Sequence, residues 1–232
     1  MPTYREAENI PVLISRVKAV ARAHRLEVEL LVVDDRSDDG TAEAVRRAGE
    51  DWVTLVVREG ARSLSLAVLE GLRRAKHEIL LVMDADLSHP PEAIPRLLDA
   101  LNEPGADFVL GSRYAPGGTT DPRWGAGRRL NSLLARLLAR PLMPARDPTS
   151  GFLALRRERF LAARELRPVG YKIGLELFVK CDCRTVREVP IHFSERLHGT
   201  TKLRVRQRLE YLEHLRRLWG YRLRRRRAAA PR

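Results

Sequence analysis

The sequence predicts an α/β domain on a mostly parallel sheet with helices on both faces. Three observations carry this. Short apolar runs of about five residues alternate with helical stretches of about ten through the first half. The runs end in charged clusters, the place where ligands bind in such sheets. A chain of 232 residues with 44% hydrophobic content can build one good core and is short for two.

Taken in order, residues 29–33 (ELLVV) read as a strand ending in Asp34-Asp35, and residues 40–49 as a helix capped by Ser37 or Asp38. A strand at 52–57 and a helix at 65–75 follow. Residues 79–83 form a strand ending in Asp84-Ala85-Asp86, and prolines open a helix at 91–101. The strand at 108–110 ends in Gly111-Ser112-Arg113. The second half is less regular: a Gly/Pro/Thr loop at 116–127, a helix at 130–138, a turn at 147–151 and a short helix at 175–180. The strand at 185–193 has Val186, Val189 and Ile191 as its apolar positions.

The formal charge of +13 is concentrated at one end. From 202 to 232 there are twelve Lys and Arg against Glu210 and Glu213, while the rest of the chain is nearly balanced. Such a segment marks an anionic partner. Val205, Leu209, Leu212, Leu215 and Trp219 recur at helical spacing within it. A basic amphipathic helix of this kind either lies on an anionic membrane surface or docks on its own core and leaves a solvated tail. No nucleic-acid module is present, so nucleic acid is not an expected partner. No apolar run approaches the ~18 residues of a membrane span, and the first ten residues are no secretory signal. Cys181 and Cys183 fit neither a redox nor a zinc motif. The expectation is a cytoplasmic protein held peripherally at the membrane, with a domain at 1–203 and a basic helix and tail at 204–232.

Asp84-Ala85-Asp86 is the sharpest chemical signal. On an extended segment residues i and i+2 face one way, so both carboxylates address one spot. Paired carboxylates at a strand end suit Mg²⁺ or Mn²⁺, which take one or two carboxylates plus substrate phosphates. The competing reading is a pair of acids before the helix opened by Pro90-Pro91. The run from Val33 to Thr41 (VDDRSDDGT) is a second acidic strand end, able to accept hydrogen bonds from a nucleoside or to serve as a turn and cap.

Together with these, PTYREAENI (2–10), MDADLSHPPE (83–92), GSRY (111–114), DPTSGF (147–152) and ERLHGTTKL (195–203) occur in one order. The set resembles the family-2 glycosyltransferases of GT-A fold, and within them the polyprenol-phosphate mannosyltransferases, from residue 2 to about 203. The resemblance implies inverting transfer of mannose from GDP-mannose to a polyprenyl phosphate. It places Pro2, Tyr4, Glu6, Val33 and Asp35 at the nucleotide. It assigns the metal and donor diphosphate to Asp84, Ala85 and Asp86, with Ser88 as a further metal ligand. Arg113, Arg196 and Lys202 match the residues that close over the phosphates, and Asp86, Arg196 and Lys202 are the expected catalytic groups. Arg128 and Ser132, four apart and so on one helix face, match the binders of the lipid phosphate. A phosphate monoester is already anionic at neutral pH, so no histidine is needed as a base, and His89 reads as structural.

The chain departs from the family pattern in three places. The apolar strand expected before Pro2, central in such a sheet, is missing, which should leave its neighbours unpaired and exposed. Arg5 stands where Asn is usual. Ser63 and Ser65 stand where relatives show glycine. Two alternatives stay open: the same chemistry with glucose or another hexose from a UDP-sugar, and a non-catalytic sugar-nucleotide-binding partner subunit.

Overall fold

The computed structural model describes residues 1–194 and 205–229; the motif at 195–203, with Arg196 and Lys202, lies outside them. The elements run β1 (Pro2–Thr3), α1 (Asn9–His24), β2 (Leu30–Asp34), α2 (Thr41–Ala48), β3 (Val53–Val57) and α3 (Leu64–Arg74). Next come β4 (Ile79–Val82), a 3-10 turn (Pro91–Ala93), α4 (Ile94–Asn102), β5 (Phe108–Ser112) and β6 (Thr119–Thr120). The second half supplies α5 (Ala126–Ala139), β7 (Leu153–Arg156), α6 (Arg157–Ala162), α7 (Ile173–Lys180), β8 (Val186–Pro190), β9 (His192–Phe193) and α8 (Val205–Ala229).

Three sheets result, ordered β1-β2-β3, β4-β7-β5-β8 and β6-β9. Four of the six strand pairings are parallel, but β7 runs antiparallel to both β4 and β5. The reversal has a simple cause. The 147–151 turn leaves the chain at the end where β5 finishes, with Gly111 N donating to Phe152 O at 2.8 Å, so β7 returns without a crossover.

The expected absence of the first strand needs correction. Pro2 and Thr3 do pair in parallel with Val33 and Asp34, so a strand is present, two residues long. Among the described residues it does not reach β4, and the sheet divides there. Exposure does not follow. Val33, Leu80 and Val82 are buried, and the Met1 side chain packs with the cluster of Leu13, Val17 and Met83.

The period-2 alternation of the central strands sorts side chains onto two faces. Leu80, Val82, Phe108, Leu110, Leu153 and Leu155 pack with α3, α7 and α8, whereas Val109 and Ala154 pack with α1 and α4. The stripe Ile10, Leu13, Ile14, Val17, Val20 and Ala21 makes α1, a helical pattern to which the sequence reading assigned no element. Neither β7 nor α6 was expected. The 185–193 strand divides at Ile191, whose N–H donates to Ser112 O.

Two local expectations change. Gly40, at φ 92°, caps α2 in place of Ser37 or Asp38. Ser37 is drawn to Asp34 and Asp38 to Arg5, which leaves Asp39 to accept from the Thr41 N–H at 3.0 Å. In α8 the buried stripe is Tyr211, His214, Leu215 and Leu218, while Leu209, Leu212 and Trp219 face out. Polar partners set this rotation: His214 Nε2 lies 2.9 Å from Glu176 in α7, and the Tyr211 hydroxyl donates to Ala135 O in α5 at 2.6 Å.

Candidate active site

The ends of β2, β4 and β5 bring the acidic and basic clusters to one edge of the fold. Past β4 the chain bends, and Leu87 takes a left-handed backbone (φ 62°), a strained state for leucine of the kind that functional sites retain. The two carboxylates are not equivalent. Asp86 is only 3% exposed and accepts from the Ser88 hydroxyl at 2.6 Å and its N–H at 3.1 Å, whereas the Asp84 side chain is 30% exposed. Ala85 between them is buried.

His89 fixes this loop. Its Nδ1 accepts from the Asp84 N–H at 3.0 Å, and its ring stacks on Phe152 at 5.2 Å. Burial lowers the imidazole below 6.5, with Asp84 and Asp86 opposing the shift. A buried, neutral ring whose Nδ1 is committed to the backbone is a positioning group, in line with the structural role expected of it.

Arg113, at the end of β5, makes a buried bidentate pair with Asp147, two bonds of 2.7 Å, and also donates to Thr149 Oγ1 at 3.2 Å. Burial alone pushes the Asp147 carboxyl up, yet the Arg113 guanidinium holds it below the ordinary carboxylate range. Asp147 thereby pins the 147–151 turn against β5. The turn also passes the Asp84–Asp86 segment closely: a Cβ on Gly151 would sit 3.6 Å from both Asp84 oxygens.

The β2 end is tied internally. Asp34 accepts from Thr3 and Ser37, and Asp35 from Arg58 and the Ser63 N–H. Tyr4 carries the Arg62 guanidinium 3.9 Å above its ring. Glu6 accepts from Asn9 Nδ2 at 2.6 Å, and Pro2 is buried in the β1 pairing. Val33 is fully buried with its side chain toward Gly71, so it offers the site no side-chain group. The departures from the family pattern have local roles. Arg5 clamps Asp38 through two bonds of 2.9 Å, and Ser63 caps α3.

Helix α5 presents Arg128 and Ser132 to the rings that Arg113 also faces, Trp124 and Tyr114. The Ser132 hydroxyl is 2.8 Å from the Tyr114 hydroxyl, Arg128 stacks 3.9 Å over Trp124, and Arg136 stacks 3.5 Å over Tyr114. Sequence reasoning gives Arg128 and Ser132 a role, places Tyr114 and Asp147 in motifs without one, and does not single out Trp124, Arg136, Arg58 or Arg62. The i+4 step from Ser132 to Arg136 was a readable signal. The distant pairs were not.

Known proteins bear on this geometry. The profile described as Glycosyl transferase family 2 matches residues 1–162. The chain is 40% identical over 223 residues to a dolichol-phosphate mannosyltransferase of Pyrococcus furiosus, covering 94% of this chain and 62% of that protein. It is 39% identical over 231 residues to the dolichol-phosphate mannosyltransferase of Saccharomyces cerevisiae, covering 95% and 86%. Among solved structures, glucosyl-3-phosphoglycerate synthase from Mycobacterium tuberculosis, in complex with Mn²⁺, UDP-glucose and phosphoglyceric acid, has a TM-score of 0.69 at 20% identity. That alignment covers 95% of this chain and 77% of the other.

Helices on both faces of the divided sheet, and the likeness to that synthase, give the chain a GT-A fold. The chain belongs to glycosyl transferase family 2, and it spans just under two thirds of the length of its Pyrococcus relative.

Proposed function

We propose that this chain transfers mannose from GDP-mannose to a polyprenyl phosphate with inversion at the anomeric carbon. The observation that carries the reading is the two-sided site. Arg113 is common to two groups: Asp84, which lies within its electrostatic reach, and Arg128 and Ser132, which share the Trp124 and Tyr114 rings with it. A donor diphosphate and an acceptor phosphate would meet between them. Relatives named dolichol-phosphate mannosyltransferase, at 40% and 39% identity, supply the sugar and the lipid class.

Asp84, Asp86 and Ser88 form an all-oxygen donor set that fits Mg²⁺ or Mn²⁺. Among the described residues no group of three His, Cys, Asp or Glu could hold an ion unaided. An ion here would take its remaining ligands from phosphate and water. When bound, it neutralises charge developing on the departing diphosphate. The chain's own residues do the rest. Tyr4, Glu6 and Asp35 line the nucleotide end, and His89 holds the Asp84 backbone in place. Arg113 is fixed against Asp147, while Arg128 and Ser132 orient the acceptor phosphate. That phosphate is ionised at neutral pH and needs no general base. Arg196 and Lys202 complete the phosphate-binding set in this reading.

The acceptor's lipid character accounts for the outer surface of α5, where Leu130 (58% exposed), Leu133, Leu134 (52%), Leu137 and Leu138 face out, as do Leu212, Trp219 and Leu223 of α8. No described helix is long and apolar enough to cross a membrane. Peripheral contact with an anionic bilayer through these two helices, aided by the basic end of α8, is the arrangement we favour.

The test is transfer of radiolabelled sugar to polyprenyl phosphate with Mn²⁺, comparing GDP-mannose, UDP-glucose and UDP-GlcNAc. Mannosyl transfer alone supports the reading, hexose transfer from a UDP-sugar reassigns the donor, and no transfer from any donor overturns it.

A further inference from the structure

Lys172 sits at the N-terminus of α7, where a cation opposes the helix dipole. Its half-buried ammonium donates to the Thr149 carbonyl at 2.8 Å and lies 4.8 Å from the Tyr171 ring. No carboxylate among the described residues comes within ion-pair distance of it, and its Coulombic neighbours are Arg113, Asp147 and Asp84. Arg113 and Asp147 neutralise each other directly. The Lys172 charge is offset only at a distance, by Asp147 and Asp84, and an ammonium bonded to one carbonyl keeps two further donors for an anion. Burial lowers the ammonium to about 8, so it remains mostly charged at neutral pH.

The loop bearing Lys172 is anchored from the nucleotide side. The Ser65 hydroxyl, at a position where relatives show glycine, donates to Gly170 O at 2.7 Å, and Asp35 accepts from the Ser63 N–H at 2.8 Å. A run of hydrogen bonds and covalent links thus joins the β2 end to Lys172, and Lys172 to the turn that crosses Asp84.

We propose that Lys172 is a further phosphate-binding residue of the reaction centre, its ammonium held over the 147–151 turn to take a phosphate oxygen beside Asp84 and Arg113, with Ser65 positioning its loop. The inference rests on the glycosyl-transfer reading above. The oxygen belongs either to the departing nucleoside diphosphate or to the lipid phosphate monoester, and both are anions of the same chemistry.

The experiment compares the wild-type chain with Lys172→Met, Lys172→Arg and Ser65→Ala. It measures GDP and UDP affinity by calorimetry with Mn²⁺ and no lipid, and then kcat and KM for polyprenyl phosphate. Loss of a charge-assisted hydrogen bond should cost Lys172→Met about tenfold to a hundredfold. The loss falls in nucleotide affinity if the donor diphosphate is bound, or in acceptor KM if the lipid phosphate is. Lys172→Arg should recover part of it, and Ser65→Ala should show a smaller loss in the same parameter. If Lys172→Met folds poorly, the pair Lys172→Arg and Lys172→Gln makes the same comparison. Unchanged affinity, KM and kcat without the ammonium overturn the Lys172 assignment and leave glycosyl transfer standing. A wild-type chain that binds neither nucleotide and transfers no sugar overturns both.

Discussion

The β2 end and the outer face of α5 are built on opposite principles. At the β2 end each carboxylate already has partners: Asp34 takes Thr3 and Ser37, and Asp35 takes Arg58 and the Ser63 N–H. On α5 the cations stack on Trp124 and Tyr114, and leucines face outward. The first is a preorganised polar surface, suited to a ligand recognised by hydrogen bonds. The second suits a ligand that arrives from a lipid phase, where apolar area and basic charge add to binding. If the two substrates of the proposed reaction use these two kinds of surface, each can be broken separately.

The largest effect is expected at the donor side. Asp86→Ala removes the carboxylate that Ser88 orients. An ion's stabilisation of developing charge is worth several kcal/mol, so kcat should fall by about a thousandfold or more. Steady-state transfer assays across a Mn²⁺ titration would read it. Activity within tenfold of wild type would remove the metal motif from the mechanism.

Next is the joint between the two sides. Asp147→Asn leaves Arg113 buried without its counter-charge, at a cost of about 3–5 kcal/mol. For a chain of this size that lowers the melting temperature by roughly 10 °C. Replacing both partners, Arg113→Met with Asp147→Leu, should recover much of the stability but none of the activity. Calorimetry and a transfer assay on wild type and the two variants decide whether the pair is structural as well as functional.

A smaller and more selective change is expected on α5. On the proposal that this face meets the bilayer, Leu134→Glu with Leu137→Glu should raise KM for polyprenyl phosphate in vesicles by about tenfold through loss of exposed apolar area. Both positions are exposed, so stability should move by no more than about 0.5 kcal/mol. A short, water-soluble prenyl phosphate should react as before. Equal losses on both acceptors would show that α5 shapes the site itself and not an approach to lipid.

The sequence made the strand ends legible because each acidic or basic cluster follows its apolar run directly, so Asp84, Asp86 and Arg113 could be placed without knowing any tertiary contact. What it hid is whatever depends on a distant partner. Asp35 and Arg58 are 23 residues apart, and Arg113 and Asp147 are 34 apart. The apolar face of α8 was misplaced because the periodic leucines outnumber the polar anchors that orient the helix, and His214 with Glu176 decides the rotation. The short β7 carries only Leu-Ala-Leu-Arg, too little pattern to read as a strand, and it is recognisable only once β4 and β5 flank it. Strand ends are local facts, whereas a site's charge balance is not.

The smallest expected effect is a pH dependence at His89, on the donor side alone. The folded imidazole titrates below its ordinary 6.5 because burial favours the neutral form. As pH falls from about 6.5 toward that lowered value, the unfolded chain takes up a proton before the folded one does, so stability falls. Above the window both states are neutral, and below it both are charged, so the slope disappears at either side. Carboxylates held low by ion pairs, such as Asp147 and Glu92, lose their contribution only at more acid pH, which keeps the windows apart. The melting temperature of wild type should therefore decline more steeply between pH 6.5 and 5 than that of His89→Gln, whose amide oxygen can still accept from the Asp84 N–H and whose remaining slope comes from the buried Met1 ammonium, lowered from 8.0 to about 5. If the two chains decline together, the imidazole is not held neutral. A rise on acidification in wild type would mean that Asp84 and Asp86 dominate over burial at this position.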